Sequence, residues 1–216
     1  DPSTPFSWRM SKADAGSGAL GDMASHTLSY ALTLVGEIKK TIGNMGIFIK
    51  ERDVAAGGSA HNVFGTTGEK RKVENDDVVQ FLMQFKNGAL GSISSSRIGT
   101  GRKHELGFEI QGTEGAMYFT NERVNELNVF FLDDEESSRG YRKVFNHPNH
   151  KWYKSFFPIP GVPLSYNDQK TIEVRELIES ISENRAAYPD FRFGWEINKI
   201  VDSVERSFIS KTWEEV

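Results

Sequence analysis

Two side chains four residues apart, Asp22 and His26, are the chemically loaded pair in this sequence. On a helix they share a face about one turn apart. A carboxylate beside an imidazole does proton work: the ring gives or takes a proton near neutral pH and the acid orients it. The same spacing also suits an Asp that caps a helix and a His that is hydrogen-bonded in a core. Ser25, Ser29 and Thr33 continue the polar stripe, whereas Leu20, Met23, Ala24, Leu28, Ala31, Leu32, Leu34 and Val35 are apolar. A helix so apolar must be covered on most sides, and unpaired polar groups on it are costly to bury. The stripe is therefore expected to border a cleft.

Two further patterns invite chemistry. GSGALG at 16–21 has the letters of the G-x-G-x-x-G dinucleotide fingerprint, and Glu37 lies near the spacing of a ribose-binding acid. The fingerprint needs an apolar strand running into its first glycine. Here Ser11-Lys12-Ala13-Asp14-Ala15 precedes it, and no strand–helix–strand series follows. The glycines are better read as letting the loop pass close to a ligand or another domain. His147 and His150 in NHPNHKW lack a carboxylate at metal-site spacing, so no metal is expected. No Ser–His–Asp order, P-loop or H-E-x-x-H is present.

The elements that must position the pair follow from periodicity. Asp1–Pro5 reads as a turn-rich lead-in, Phe6–Met10 as an edge strand and Ser11–Gly18 as a loop. The helix runs to about Val35, with Gly36 as its stop. Ile38–Ile49 reads as a strand, and Glu51–Asn75, polar and Gly-rich, as a surface loop. From Asp76 the period becomes two: Val79, Phe81, Met83 and Phe85 fall on one face. Asn87-Gly88 marks a two-residue hairpin turn. Ala89–Arg97, Leu106–Ile110, Ala116–Thr120, Leu127–Leu132 and Tyr141–Phe145 add strands, with GTEG at 112–115 as a turn. Asn146–Pro163 reads as a loop. Ile172, Leu177, Ile178 and Ile181 space one closing helix; Ile197, Ile200, Val201, Val204 and Phe208 space the other. Strands in a block between helices describe one α+β domain over residues 1–216, with an open, mostly antiparallel sheet of about six strands and helices on one face. The other face would carry Gln80, Gln84, Ser92, Ser94 and Ser96 mixed with Val78, Leu82 and Leu90. It is apolar enough to pack against another subunit, so a homo-oligomer is expected.

Composition narrows the class. The 216 residues, 38% hydrophobic and 26% charged, are enough for a sizeable core. A net charge of −4 with mixed signs argues against nucleic acid as partner. No apolar run approaches the ~20 residues of a membrane span. No signal peptide is visible. The absence of cysteine excludes disulfides and thiolate metal sites, and a cytoplasmic protein is expected. The chain starts at Asp1 without methionine, as a piece of a longer protein would.

Trp8-Arg9, then AGSGALGDMASH with L-x-G after it, together with FKNGALG at 85–91, IQGTEG at 110–115 and the closing 191–216, resemble one family over nearly the whole chain. This is the C-terminal domain of the Gfo/Idh/MocA oxidoreductases, named for glucose–fructose oxidoreductase and inositol dehydrogenase. The resemblance implies an N-terminal Rossmann domain, absent here, that binds NAD or NADP and contributes a lysine from an E-K-P motif. It implies that the present domain supplies a pocket for a sugar, polyol or inositol-like substrate and an open sheet for subunit association. His26 would be the acid/base at the reacting hydroxyl or carbonyl, and Asp22 its partner and a substrate ligand. Trp8, Arg9 and Lys12, just before the loop, are expected to line the cleft, and Ser25 and Ser29 of the polar stripe to bind substrate with them. Ser29 stands where many members have an acid three residues after the histidine. The competing class is a non-catalytic module of the same fold that binds a sugar or assembles subunits. Taking GSGALG at face value, as a cofactor-binding domain, ranks last.

Overall fold

The alternation of Val79, Phe81, Met83 and Phe85 puts all four inside, each at most 3% exposed, on strand β4 (Val78–Phe85). In a computed structural model describing residues 3–59, 62–156 and 159–216, this strand is the spine of a four-stranded antiparallel sheet. Asp1 and Pro2 of the lead-in, and Phe157 and Pro158 of the aromatic loop, lie outside the described residues. The strand order is β10 (Glu214–Glu215), β1 (Ile38–Gly46), β4, β5 (Leu90–Ser96). The chain reverses at Asn87-Gly88 as expected, but through three residues, not two. Phe85 N–H donates to Ala89 O, Gly88 N–H to Phe85 O, and Gly88 takes the left-handed φ of 92°.

Two helical segments cover the inner face. Leu20–Ala24 is π-helical and leads into α2 (Ser25–Leu34), which follows the short α1 (Lys12–Ala15). Ala19, Leu20, Ala24 and Leu28 enter the core with the β4 residues, Ile38 and Ile93. Gly36 stops the helix with φ of 121°, its N–H on Ala31 O. α4 (Phe191–Ser210) adds Ile200 and Val204. It sits so close to β1 that Ser207 Oγ accepts the Gly43 N–H at 2.9 Å and Ser203 Oγ meets Thr41 Oγ1 at 2.8 Å. A Cβ on Gly43 would lie 2.9 Å from Phe81 Cβ and 3.0 Å from Val204 Cγ1, so the close approach requires glycine there. The outer face leaves Leu82 and Leu90 exposed between Gln80, Ser92 and Ser94.

The α+β class and antiparallel pairing stand, but the strands do not form one sheet of six. Glu51–Asn75 is not a loop: it contains a ribbon of β2 (Glu51–Ser59) paired with β3 (Asn62–Lys72). Residues 64–72 are exposed throughout, so no buried face imposes the alternation that would reveal a strand. Phe6–Met10 is not an edge strand either. Phe6 alone bridges Val54, and Trp8–Met10 winds into a 3-10 turn.

The chain divides into two compact units, Asp1–Lys103 with Gly194–Val216, and His104–Phe193. The second holds a four-stranded antiparallel sheet in sequence order: β6 (Gly107–Gln111), β7 (Gly115–Thr120), β8 (Glu126–Phe131) and β9 (Arg142–Phe145). It also holds α3 (Tyr166–Ser182), capped by a Ser165/Asp168 box. Leu177, Ile178 and Ile181, whose spacing marked α3 in the sequence, are 52–72% exposed. Three carboxylates of this unit are held below the usual range by hydrogen-bonded cations: Glu126 by Lys143, Glu176 by Arg185 and Glu179 by Arg175. A depressed acid contributes stability above its unfolded pKa and loses it as pH falls through the folded value. Protection factors in this unit, with the intrinsic pH dependence of amide exchange divided out, are therefore expected to hold from neutral pH down to about 4.5 and to fall below it. Flat protection down to pH 3 would contradict the pairing.

Candidate functional site

The glycine-rich stretch and the residues before it enclose a cleft of about 460 Å³ in the first unit. Its walls include Trp8, Arg9, Lys12, Gly16–Gly18, Gly21 and Asp22, with Arg97 from the end of β5. Asn198, Asp202 and Glu205 of α4 complete it. The volume falls in the range of small-molecule sites, about 300–1,000 Å³. Among these walls Arg9 Nη1 donates to Asp22 Oδ2 at 2.5 Å. The Arg9 guanidinium also lies 4.9 Å from the centre of the Trp8 ring. An aromatic face, a cation and an anion therefore stand together in one half-open cavity.

Each member is placed by a local cause. Asp22 rides on the π-helical segment Leu20–Ala24, and such wide turns re-aim side chains where a plain α-helix would not. The start of that segment is fixed by Asp76, which is 6% exposed. Asp76 Oδ1 accepts the Gly18 N–H at 2.6 Å, its Oδ2 the Leu20 N–H at 2.8 Å, and its carbonyl the Ala19 N–H at 3.0 Å. A Cβ on Gly18 would fall 1.9 Å from that carbonyl oxygen, so this glycine serves backbone-to-backbone contact.

This wiring decides what GSGALG can do. A pyrophosphate cradle offers free amides to an anion. Here the amides of Gly18, Ala19 and Leu20 are engaged by Asp76, and the Asp22 N–H donates to Gly18 O. These residues do not fit a nucleotide phosphate. Gly18 serves close packing, but against the Asp76 backbone of the same unit, where the sequence suggested a ligand or another domain.

The remaining expected site residues divide. Trp8, Arg9, Lys12 and Asp22 meet in the cleft; Ser25, His26 and Ser29 are not among its walls. Ser25 and Ser29 direct their hydroxyls to the carbonyls of Asp22, at 3.5 Å, and His26, at 2.6 Å. His26 is exposed, and among the described residues its imidazole makes no hydrogen bond. Asp22 takes Arg9, not His26, as its partner. The i, i+4 rule assumed a regular helix, and the π-helical turn under Asp22 breaks that assumption.

His147 and His150 are turn residues. His150 Nδ1 accepts the His147 N–H at 3.2 Å, and His147 Nδ1 accepts the Asn149 N–H at 3.0 Å. Among the described residues no group of three or more His, Cys, Asp or Glu side chains is placed to hold a metal ion. Among them, too, no helix is long and apolar enough to cross a membrane.

The sequence reading missed Asn75, Asp76, Asp77 and Arg97. Asn-Asp-Asp directly before an apolar strand was the available signal, since three polar residues entering a core must each find partners.

The model of the GFO/IDH/MocA C-terminal domain matches residues 1–118. Levoglucosan dehydrogenase of Pseudarthrobacter phenanthrenivorans is 38% identical over 218 residues, which cover 100% of this chain and 56% of that protein. A solved levoglucosan dehydrogenase in complex with NADH and L-sorbose is similar at TM-score 0.91 and 36% identity, over 100% of this chain and 54% of that one. An NAD binding oxidoreductase from Klebsiella pneumoniae is similar at TM-score 0.90 and 38% identity, over 100% and 55%. The chain spans about half the length of the relatives it matches.

Proposed function

This chain belongs to the GFO/IDH/MocA C-terminal domain family, and on that premise we propose that it is the substrate and assembly half of a nicotinamide-dependent dehydrogenase acting on a sugar or related polyol. The observation that carries the reading is the cleft in which Trp8, Arg9 and Asp22 converge. Sugars present apolar C–H faces and rings of hydroxyls. An indole covers the first, while a guanidinium and a carboxylate serve as donor and acceptor for the second. Levoglucosan, the substrate named for a relative 38% identical, is the first candidate, and NAD the first cofactor.

Oxidising a hydroxyl removes a hydride from carbon, which the nicotinamide ring accepts, and a proton from oxygen. The residues of this chain act on the proton. His26, exposed one turn beyond Asp22, is the base we assign to the reacting hydroxyl. Asp22, fixed by Arg9, is assigned to hold a neighbouring hydroxyl. The amides engaged by Asp76 support a cofactor phosphate site outside this chain. The outer sheet face, with Leu82 54% and Leu90 79% exposed, supports association with a second copy.

The test is a pair of fluorescence titrations with NADH. The intact protein should bind it saturably, and this chain alone should not. It should also reduce NAD in the presence of levoglucosan or another pyranose. Tight, saturable binding by the isolated chain would overturn the division of labour.

A further inference from the structure

Arg9 stands on a three-residue 3-10 turn, a weak platform for a side chain that must hold Asp22. What steadies it lies far away in sequence. Asn75 Nδ2 donates to the Arg9 carbonyl at 2.8 Å, and Arg97 Nη1 donates to the same oxygen at 3.2 Å. Arg97 Nη2 reaches Asn75 Oδ1 at 3.0 Å and Asn75 O at 3.2 Å. Arg97 Nε donates to Asp77 Oδ1 at 3.0 Å. Four of the five guanidinium N–H groups are thus engaged by protein acceptors. Asp77 is fully buried and the Arg97 side chain only 15% exposed, so the clasp is rigid and shielded from screening.

We infer that Arg97, clamped by Asp77 and joined by Asn75, is a positioning residue that sets the Arg9–Asp22 pair for substrate. The inference rests on the reading of the cleft given above. One tripeptide steadies both partners of that pair. Asp76 fixes the backbone that carries Asp22, while Asn75 directly and Asp77 through Arg97 fix the backbone that carries Arg9. Arg97 touches neither Asp22 nor His26 through any of these bonds. It borders the cleft, but four of its N–H groups are spent on protein acceptors, so its effect on turnover is expected to pass through Arg9.

The experiment is a double-mutant cycle in the intact protein, with levoglucosan and NAD as probe substrates. Arg97→Lys keeps a cation beside Asp77 but loses the planar fork that reaches Arg9 and Asn75. It is expected to lower kcat/KM for the sugar by about 10- to 100-fold, the scale of a small misplacement, with NADH affinity unchanged. In an Asp22→Asn background the same change should have little further effect, because the pair it serves is already lost. Multiplying losses would overturn the inference and leave Asp22 in its role. An Asp22→Asn enzyme with unchanged turnover would overturn both. Asn75→Ala, which leaves the Arg97–Asp77 bond in place, repeats the cycle if Arg97→Lys does not fold; the same two patterns decide.

Discussion

His26→Ala in the intact protein is expected to lower turnover by roughly 10²–10⁴-fold, the range for losing a positioned general base. NADH affinity should be unaffected, because the proposed cofactor phosphate site lies outside this chain. The imidazole has no hydrogen-bond partner among the described residues, so removing it disturbs no internal network. The fold should therefore survive, and the change should read almost purely as chemistry. A pH–rate profile gives a second signature: the limb that reports the base should vanish with the ring. Steady-state kinetics with levoglucosan, alongside NADH fluorescence, check both. Unchanged turnover would remove His26 from the mechanism and leave Asp22 and Arg9 as binding groups only.

Asp77→Ala is expected to have the largest effect on stability. The carboxylate is fully buried. Its Oδ2 accepts the N–H groups of Phe48 and Ile49 at 2.8 and 2.9 Å, and its Oδ1 accepts Arg97 Nε at 3.0 Å. Alanine would leave two amides without an acceptor and a largely buried guanidinium without its counter-ion. Breaking a buried pair from one side costs about 3–5 kcal/mol. Urea unfolding should show a lower midpoint with a similar slope. A midpoint within error of the parent would mean that water or a rearranged acceptor replaces the carboxylate at no cost.

How much of this was legible beforehand follows from which signals are local. β4 announced itself because Val79, Phe81, Met83 and Phe85 face one core, and Gly36 marked the end of α2 because only a left-handed residue makes that exit. Trp8, Arg9, Lys12 and Asp22 could be named in advance, since they lie on or just before the loop that forms the cleft wall. The partner of Asp22 could not. A regular helix points to His26, and the π-helical turn that directs Asp22 to Arg9 leaves no mark in residue type. Arg97 was invisible for another reason. Its bonds to Arg9 and Asn75 span 88 and 22 positions, and no periodicity encodes a side chain meeting a distant carbonyl. The β2–β3 ribbon failed a third way, since strand patterning is the imprint of a buried face and β3 has none.

That ribbon also poses a colloidal problem. A two-stranded hairpin exposes rows of unpaired backbone groups, which invite edge-to-edge aggregation. Phe6 bridges β2 at Val54, so the outer strand is the vulnerable one. There the run Glu69-Lys70-Arg71-Lys72 places four consecutive exposed charges along the edge. A neighbouring strand docking on it would have to desolvate those charges, which makes the run a gatekeeper against fibre-like growth. Loss of solubility, rather than loss of catalysis, is the phenotype that neutralising these residues should produce.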